Sequence, residues 1–264
     1  MIHLSNLDLA IAALLVLALA FFAGRHHGPL GKQILIAGIR TTIQLLLIGL
    51  VLKALFADAR LGWVLLMALV MLLVAGYEVR ARQHRRFVGA WSYGIGSLSM
   101  FLSSFTVTFF ALWVVIGTDP WYQPQYAIPL LGMLLGNTMN GVSIAMDRLN
   151  QSAWEQRERI EARLMLGHSA RDAISHLRQQ AVRSGLIPII NAMTAAGIVS
   201  LPGMMTGQIL AGAPPVEAVK YQILIMFLIA VGTGLGTLGA VSISCRRLFD
   251  ERQRLRLDRL TEGH

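Results

Sequence analysis

IVSLPGMMTGQILAGAPP, residues 198–215, carries no charge, yet it sets Pro202 beside Gly203 and follows them with Met204 and Met205. It prolongs an apolar run that begins at residue 185, and residues 185–212 would make a straight helix of roughly 42 Å. A hydrocarbon core is ~30 Å thick, so a segment of this length tilts or breaks. Proline removes a helical donor and frees a carbonyl one turn earlier, and broken backbone at membrane depth survives only against protein or a wet cavity. The stretch therefore reads as a membrane helix interrupted in its middle, with polar backbone exposed beside two polarizable thioethers.

Further apolar runs repeat the pattern. Of the 264 residues 55% are hydrophobic and 14% charged, and mean hydropathy is +0.59, far from the balance of a soluble domain. Runs long enough to cross a membrane fall at 4–22, 33–56, 61–77, 88–117, 126–146, 185–212 and 216–244. The expected fold is all-α: a polytopic integral membrane helix bundle of about seven transmembrane helices, forming one transmembrane domain over residues 1–264. The first run has no basic region before it and no A-x-A cleavage site after it, which predicts a retained span. Cys245 is the sole cysteine, so neither an intrachain disulfide nor a CxxC-type metal cage is available.

Net charge is +9, and its placement decides what it means. Arg25 and Lys32, then Arg80, Arg82, Arg85 and Arg86, then the run from Arg148 to Arg183, then Arg246 to Arg259, all fall in alternate loops or the tail. The positive-inside rule then places the N-terminus outside and the C-terminus in the cytosol, in the inner (plasma) membrane of a cell. The basic balance is topology and contact with membrane lipids; no nucleic-acid partner is expected.

One long hydrophilic interruption, residues 147–184, and a tail, residues 245–264, make most of the cytosolic sequence. Ile160, Leu164 and Leu166 keep a helical pattern that stops at Gly167, a residue suited to the left-handed turn after a helix. Ser169 with Asp172 has the spacing of an N-cap and a first-turn acid, and Ile174, Leu177 and Ala181 form an apolar stripe behind it. The loop is predicted to be helix, tight turn, helix. Pattern alone is equally satisfied by two amphipathic helices lying on lipid.

The segment EARLMLGHSARDAI, residues 161–174, resembles the cytoplasmic loop of ABC-transporter permeases, where a Glu-Ala pair precedes a glycine and docks on the ATPase. Here the pair is Glu161 and Ala162 and the glycine Gly167, with Arg163 departing from the usual second alanine. GIRTTIQLLLIGLVLKALF (38–56), IPLLGMLLGNTMNGV (128–142) and GIVSLPGMMTGQILAGAPPVEAVKYQI (197–223) are similar, in order and spacing, to the permease subunit of the FetB-type iron-export family. That family includes the plant aluminium-tolerance permeases. The resemblance implies a permease homodimer paired with a separate cytosolic ATPase subunit that holds ATP and magnesium, exporting iron or another metal. It also implies that Glu161, Ala162, Leu166, Gly167 and Ser169 form the coupling element; plant members extend the substrate range to nucleotide sugars.

No cofactor is expected in this chain. GPLGKQ (28–33) lacks the hydroxyl residue and glycine spacing of a phosphate loop, and Gly234, Gly236 and Gly239 satisfy GxGxxG only inside a span, where glycines let helices approach. Pathway candidates are Arg40 and Gln44, one turn apart; Asn137 and Asn140 on one face of the fifth run; and Pro202, Gly203, Met204 and Met205. Each has a plainer alternative: Arg40 snorkelling to the interface, the asparagines hydrogen-bonding between helices, the methionines packing. Thioethers suit soft metals, but no tight metal site is expected. A gradient-driven secondary transporter is the rival; its usual mid-membrane carboxylate is missing, since Glu78, Asp119, Asp147 and Glu217 sit near span ends. A membrane hydrolase lacks a histidine base beside Ser92, Ser97 or Ser103.

Overall fold

The computed structural model describes residues 5–262, so position 4 of the first apolar run and the last two residues of the tail lie outside the described residues. The chain divides into two compact units, Met1–Arg60 and Leu61–His264. The first is a helical hairpin of α1 (Asn6–His27) and α2 (Pro29–Ala57). Ser5 starts α1 as a capping box: its Oγ accepts from the Asp8 N–H and its own N–H donates to the Asp8 carboxylate, satisfying orphan donors of the first turn. Gly28 turns the chain at φ +53, and Pro29 opens α2 at a position that needs no N–H. The two helices meet at Gly24 and Gly31, where a side chain on Gly31 would run into the Ala20 carbonyl.

The second unit holds the core. It runs α3 (Leu61–Ala81), α4 (Trp91–Met100), a π-helical turn (Phe101–Phe105), α5 (Thr106–Phe110), a second π-helical turn (Ala111–Ile116) and α6 (Pro124–Glu155). Then come α7 (Arg157–Met165), α8 (Ala170–Ala173), α9 (Ser175–Ala195), α10 (Gly203–Leu210) and α11 (Pro215–Arg247). Among the described residues six helical segments are long and apolar enough to cross a membrane: 7–25, 29–57, 61–81, 91–116, 124–155 and 215–247. The molecule is a membrane helical bundle. Its fourth span is one rod despite the π turns, and its fifth continues well past residue 146 to Glu155.

The expected sixth span, 185–212, is not one helix. α9 ends at Ala195, Gly197 takes φ +82, and Pro202 is the N-cap of α10. The break is thus a loop over 196–202, and Pro202 and Gly203 begin the next helix instead of kinking a continuous one. The loop bonds to itself: Val199 and Ser200 N–H donate to the Ala195 carbonyl at 3.0 and 3.1 Å, and Gly197 N–H donates to Ser200 O at 2.9 Å. Those bonds answer the demand for satisfied backbone away from water.

α6, α9 and α11 pack together around Gly141 and Gly185. A Cβ on Gly141 would lie 2.7 Å from Thr233 Cγ2, and one on Gly236 would collide with Thr138, so glycine at both positions sets the helix spacing. α10 packs on α11. The buried cluster spreads from Ala68 and Leu72 of α3, through Met146 and Leu149 of α6, to Ile160, Ile174, Leu248 and Leu260. The loop after α3, the α7–α8 region and the tail therefore gather at one end of this unit. α9 leaves that end and α11 returns to it, with the 196–202 loop and α10 between them.

Candidate functional site: an exposed helical turn and a polar cleft

The stretch between α7 and α8 is shaped by local rules. Leu166 closes α7, Gly167 follows at φ +87, Gly167 N–H donates to Leu164 O at 3.0 Å, and His168 N–H donates to Arg163 O at 3.1 Å. This is the Schellman pairing that ends helices. Ser169 then caps α8; its Oγ accepts from the Asp172 N–H and donates to Asp172 Oδ2 at 2.6 Å. Ile160, Ala173, Ile174 and Leu177 anchor the pair of helices in the core. The turn projects: Met165 is 84% and Leu166 80% exposed, with Glu161, Ala162 and Gly167 on the same open surface. Ser169 differs from the other coupling candidates, since it is half-buried and shapes the turn from within.

A bond unannounced by the sequence steadies this turn. The Ala170 N–H, an orphan at the start of α8, donates to Gln253 Oε1 of the tail at 2.8 Å. The tail in turn pairs with the loop after α3: Val88 N–H donates to Arg259 O and Thr261 N–H to Arg86 O, each at 2.8 Å. Arg82, Gln83, His84 and Arg85 also lie against α6. Arg82 Nη1 donates to Asn140 Oδ1 at 2.7 Å, the His84 N–H to Asp147 Oδ1 at 2.7 Å, and Asn150 Nδ2 to Arg85 O at 2.9 Å. The Arg85 guanidinium lies 4.0 Å from the Trp154 ring centroid.

That clasp borders a polar cleft of about 480 Å³ whose walls include Arg82, Asn140, Ser143, Asp147, Gln151 and Ser184. Its groups are the amide, hydroxyl and carboxylate oxygens of Asn140, Gln151, Ser143, Ser184 and Asp147, set among the guanidinium groups of Arg82 and Arg148. Asn140 therefore stands at the cleft. Asn137, one turn on, is exposed, and its Nδ2 donates to Met133 O of its own helix at 2.8 Å. Arg82 also pairs with Glu78, Nε to Oε2 3.6 Å. Among the described residues no group of three or more His, Cys, Asp or Glu stands together.

The remaining candidates lie apart. Arg40 and Gln44 are exposed along α2 of the hairpin unit. Gly203 is exposed, Pro202 and Met204 are half-buried, and Met205 is 8% exposed and turned into the unit. The most exposed large apolar residues of the break are Ile198 and Val199, at 88% and 83%. Their positions just after the αL glycine were the signal for this, because a turn there throws the next side chains outward. The clasp had a weaker signal: a dense polar run, 82–86, facing Asn140, Asp147 and Asn150 at helical spacing. Cys245 is buried in the packing.

The family model described as "Uncharacterised protein family (UPF0014)" matches residues 6–249. A UPF0014 membrane protein of Synechocystis is 41% identical over 84% of this chain and 85% of its own length. The "Probable iron export permease protein FetB" of Escherichia coli is 30% identical over 96% of this chain and 95% of its own. The protein ALUMINUM SENSITIVE 3 of Arabidopsis thaliana is 35% identical over 81% and 77%. No solved structure matches the chain. With a family model covering nearly the whole chain, and relatives aligned along most of their length, the chain belongs to the UPF0014 family.

Proposed function

We propose that this chain is the membrane-spanning permease subunit of an ATP-driven transporter that exports iron or another metal ion. The observation that carries the proposal is the exposed apolar turn at Met165 and Leu166, held rigid by Gly167, Ser169 and Gln253. A large apolar tip that protrudes from a polar end of a membrane bundle calls for a protein groove to cover it, and an ATPase subunit would supply one. The 30% identity to a protein named as an iron export permease supports the same reading. In this account the end bearing α7, α8 and the tail faces the cytosol of a cell whose plasma membrane holds the protein, and the N-terminus faces outward.

ATP and magnesium then belong to the partner, and this chain hydrolyses nothing by itself. The exposed polar edge of α6, Asn137 and Asn140, lies on a helix long enough to span the membrane, where amides need protein or water beside them. A second copy of the chain facing that edge provides both, with the cleft at Asn140 and Asp147 as the inner mouth of a shared path. A metal ion would pass it as a weakly held substrate.

The test is transport by inverted vesicles holding this chain with its ATPase, supplied with Fe(II), other divalent metals or UDP-glucose. ATP-dependent uptake of a metal, absent when either subunit is omitted, is the expected result. Uptake of UDP-glucose alone would replace the metal with a nucleotide sugar. Uptake that follows an imposed proton or sodium gradient with no ATPase present would overturn the proposal.

A further inference from the structure

At the end of α11 the structure leaves a cleft of about 710 Å³ bounded by Trp91, Ile243, Phe249 and five arginines, which outnumber its two carboxylates, Asp250 and Glu251. Asp250 is engaged by Arg254, Nη2 to Oδ2 2.7 Å, and by the backbone N–H groups of Arg252 and Arg254. Arg256 is held by Asp258, Nε to Oδ1 2.8 Å. Among the described residues Arg246, Arg247, Arg252 and Arg259 join no ion pair, although all four line the cleft. Arg259 spends Nη1 on the carbonyls of Arg247 and Phe249, at 2.7 and 3.2 Å, which fixes it in place without neutralising it. The Arg247 guanidinium lies 4.1 Å from the Trp91 ring centroid, and its buried Nε has no hydrogen-bond partner.

Preorganised guanidinium groups with free donors are built for an anionic oxygen cluster, since each fork matches phosphate geometry. The surroundings distinguish one source of phosphate from another. Trp91, half-exposed, begins one membrane span and Arg247 ends another, so the cleft sits where apolar rod meets water, the level at which tryptophan rings settle. Above it the surface of α11 is lipid-like, with Leu235 and Leu238 exposed and Ile243 forming the wall. A free phosphate would use only the arginines. A phospholipid would use the arginines for its headgroup and the leucine surface for its chains.

We propose that this cleft is a binding site for the phosphate headgroup of an anionic phospholipid, with Arg246 and Arg247 as the principal contacts and Trp91 as the platform that orients Arg247. The site tightens the last turn of α11 against the start of α4 and the tail. It does not depend on the substrate carried or on coupling to an ATPase.

The experiment uses the full chain in lipid nanodiscs, with Trp63, Trp113, Trp121 and Trp154 replaced by Phe so that Trp91 is the sole fluorophore. Quenching by phosphatidylglycerol brominated on its chains is compared with quenching by brominated phosphatidylcholine. Phosphatidylglycerol should quench preferentially, and Arg246→Gln with Arg247→Gln should cut that preference by about five-fold for each charge removed. Arg157→Gln with Arg159→Gln, the same charge change on exposed α7, should leave it intact. Because the Trp replacements could loosen the fold, the melting midpoint of the otherwise native chain is read in parallel, and should rise with phosphatidylglycerol only when Arg246 and Arg247 are present. Equal quenching by both lipids, equal losses in both double variants, or displacement by millimolar inorganic phosphate would each overturn the proposal, the last by showing a soluble-anion site.

Discussion

Gly141 of α6 and Gly185 of α9 touch backbone to backbone: a Cβ built on Gly185 would lie 2.5 Å from the Gly141 carbonyl oxygen and 2.9 Å from both Ala145 Cβ and Thr237 Cγ2. Three helices meet there with no room for a methyl group. Gly185→Val should therefore force α6 and α9 apart and cost about 1–3 kcal/mol, as overpacked cores do. A lowered thermal midpoint in detergent would record it. Gly203→Ala, where nothing lies within 4 Å, is the matched control and should be neutral or slightly stabilising.

Under the proposed function, substitutions at the turn around Gly167 separate stability from partner binding. Leu166→Asp alters a side chain that touches little of its own chain, so the midpoint should stay while stimulation of the partner's ATPase activity falls at least ten-fold. Gly167→Val acts differently, because a β-branched residue at φ +87 carries a strain of roughly 1–2 kcal/mol. It should weaken both. An unchanged ATPase response in Leu166→Asp would remove the turn from the coupling surface.

The loop at 196–202 makes a pattern for labelling. In a Cys245→Ser background, single cysteines at 198, 199 and 203 should react readily with a small water-soluble thiol reagent if the loop borders a wet path, and a cysteine at 205 should react slowly, following the exposures above. Inertness at 198, 199 and 203, with and without ATP, would place the loop against lipid. Replacing Pro202 and Gly203 with alanine should not produce one continuous helix, since Gly197 at φ +82 still ends α9.

Acid should loosen the tail before the bundle. The backbone N–H of Arg254, reinforced by its guanidinium and by the Arg252 N–H, holds the Asp250 carboxyl below its ordinary value; Arg256 does the same for Asp258. A carboxyl depressed on folding adds stability that is complete above its unfolded value and is lost as pH falls through the folded one. Amide protection factors over 248–260, taken relative to the intrinsic exchange rate at each pH, should thus be high at pH 6 and fall below about pH 4. Asp250→Asn should already show fast exchange at pH 6. Equal exchange in the variant and the parent would show that the bend holds without the charge.

What the sequence made legible was local. The long apolar runs are visible because a membrane span needs length and apolarity and nothing from elsewhere in the chain. The turn at Gly167 and the cap at Ser169 were readable for the same reason, their partners lying within a few residues. The sixth run misleads because proline is the louder signal: the break is set by the left-handed Gly197, and Pro202 only restarts the helix. Arg82 with Asn140, Ala170 with Gln253, and Arg247 with Trp91 depend on residues 58 to 156 positions apart, which no spacing rule reaches. The grouping of the helices into two compact units likewise rests on contacts that composition does not record.

The two π-helical turns in the fourth span, Phe101–Phe105 and Ala111–Ile116, bear on how this gene can change length. A π turn closes its hydrogen bonds one residue later than an α turn, so it accommodates one surplus residue while the flanking turns keep their faces. Elsewhere in a buried span, loss of a single residue rotates everything beyond it by about 100°, and Ser99 or Thr108 would no longer point inward. Deletion of one residue inside either π turn instead reels the slack in, converting it to α-helix with the neighbours still in register. Those eleven positions are where this otherwise unforgiving rod tolerates shortening.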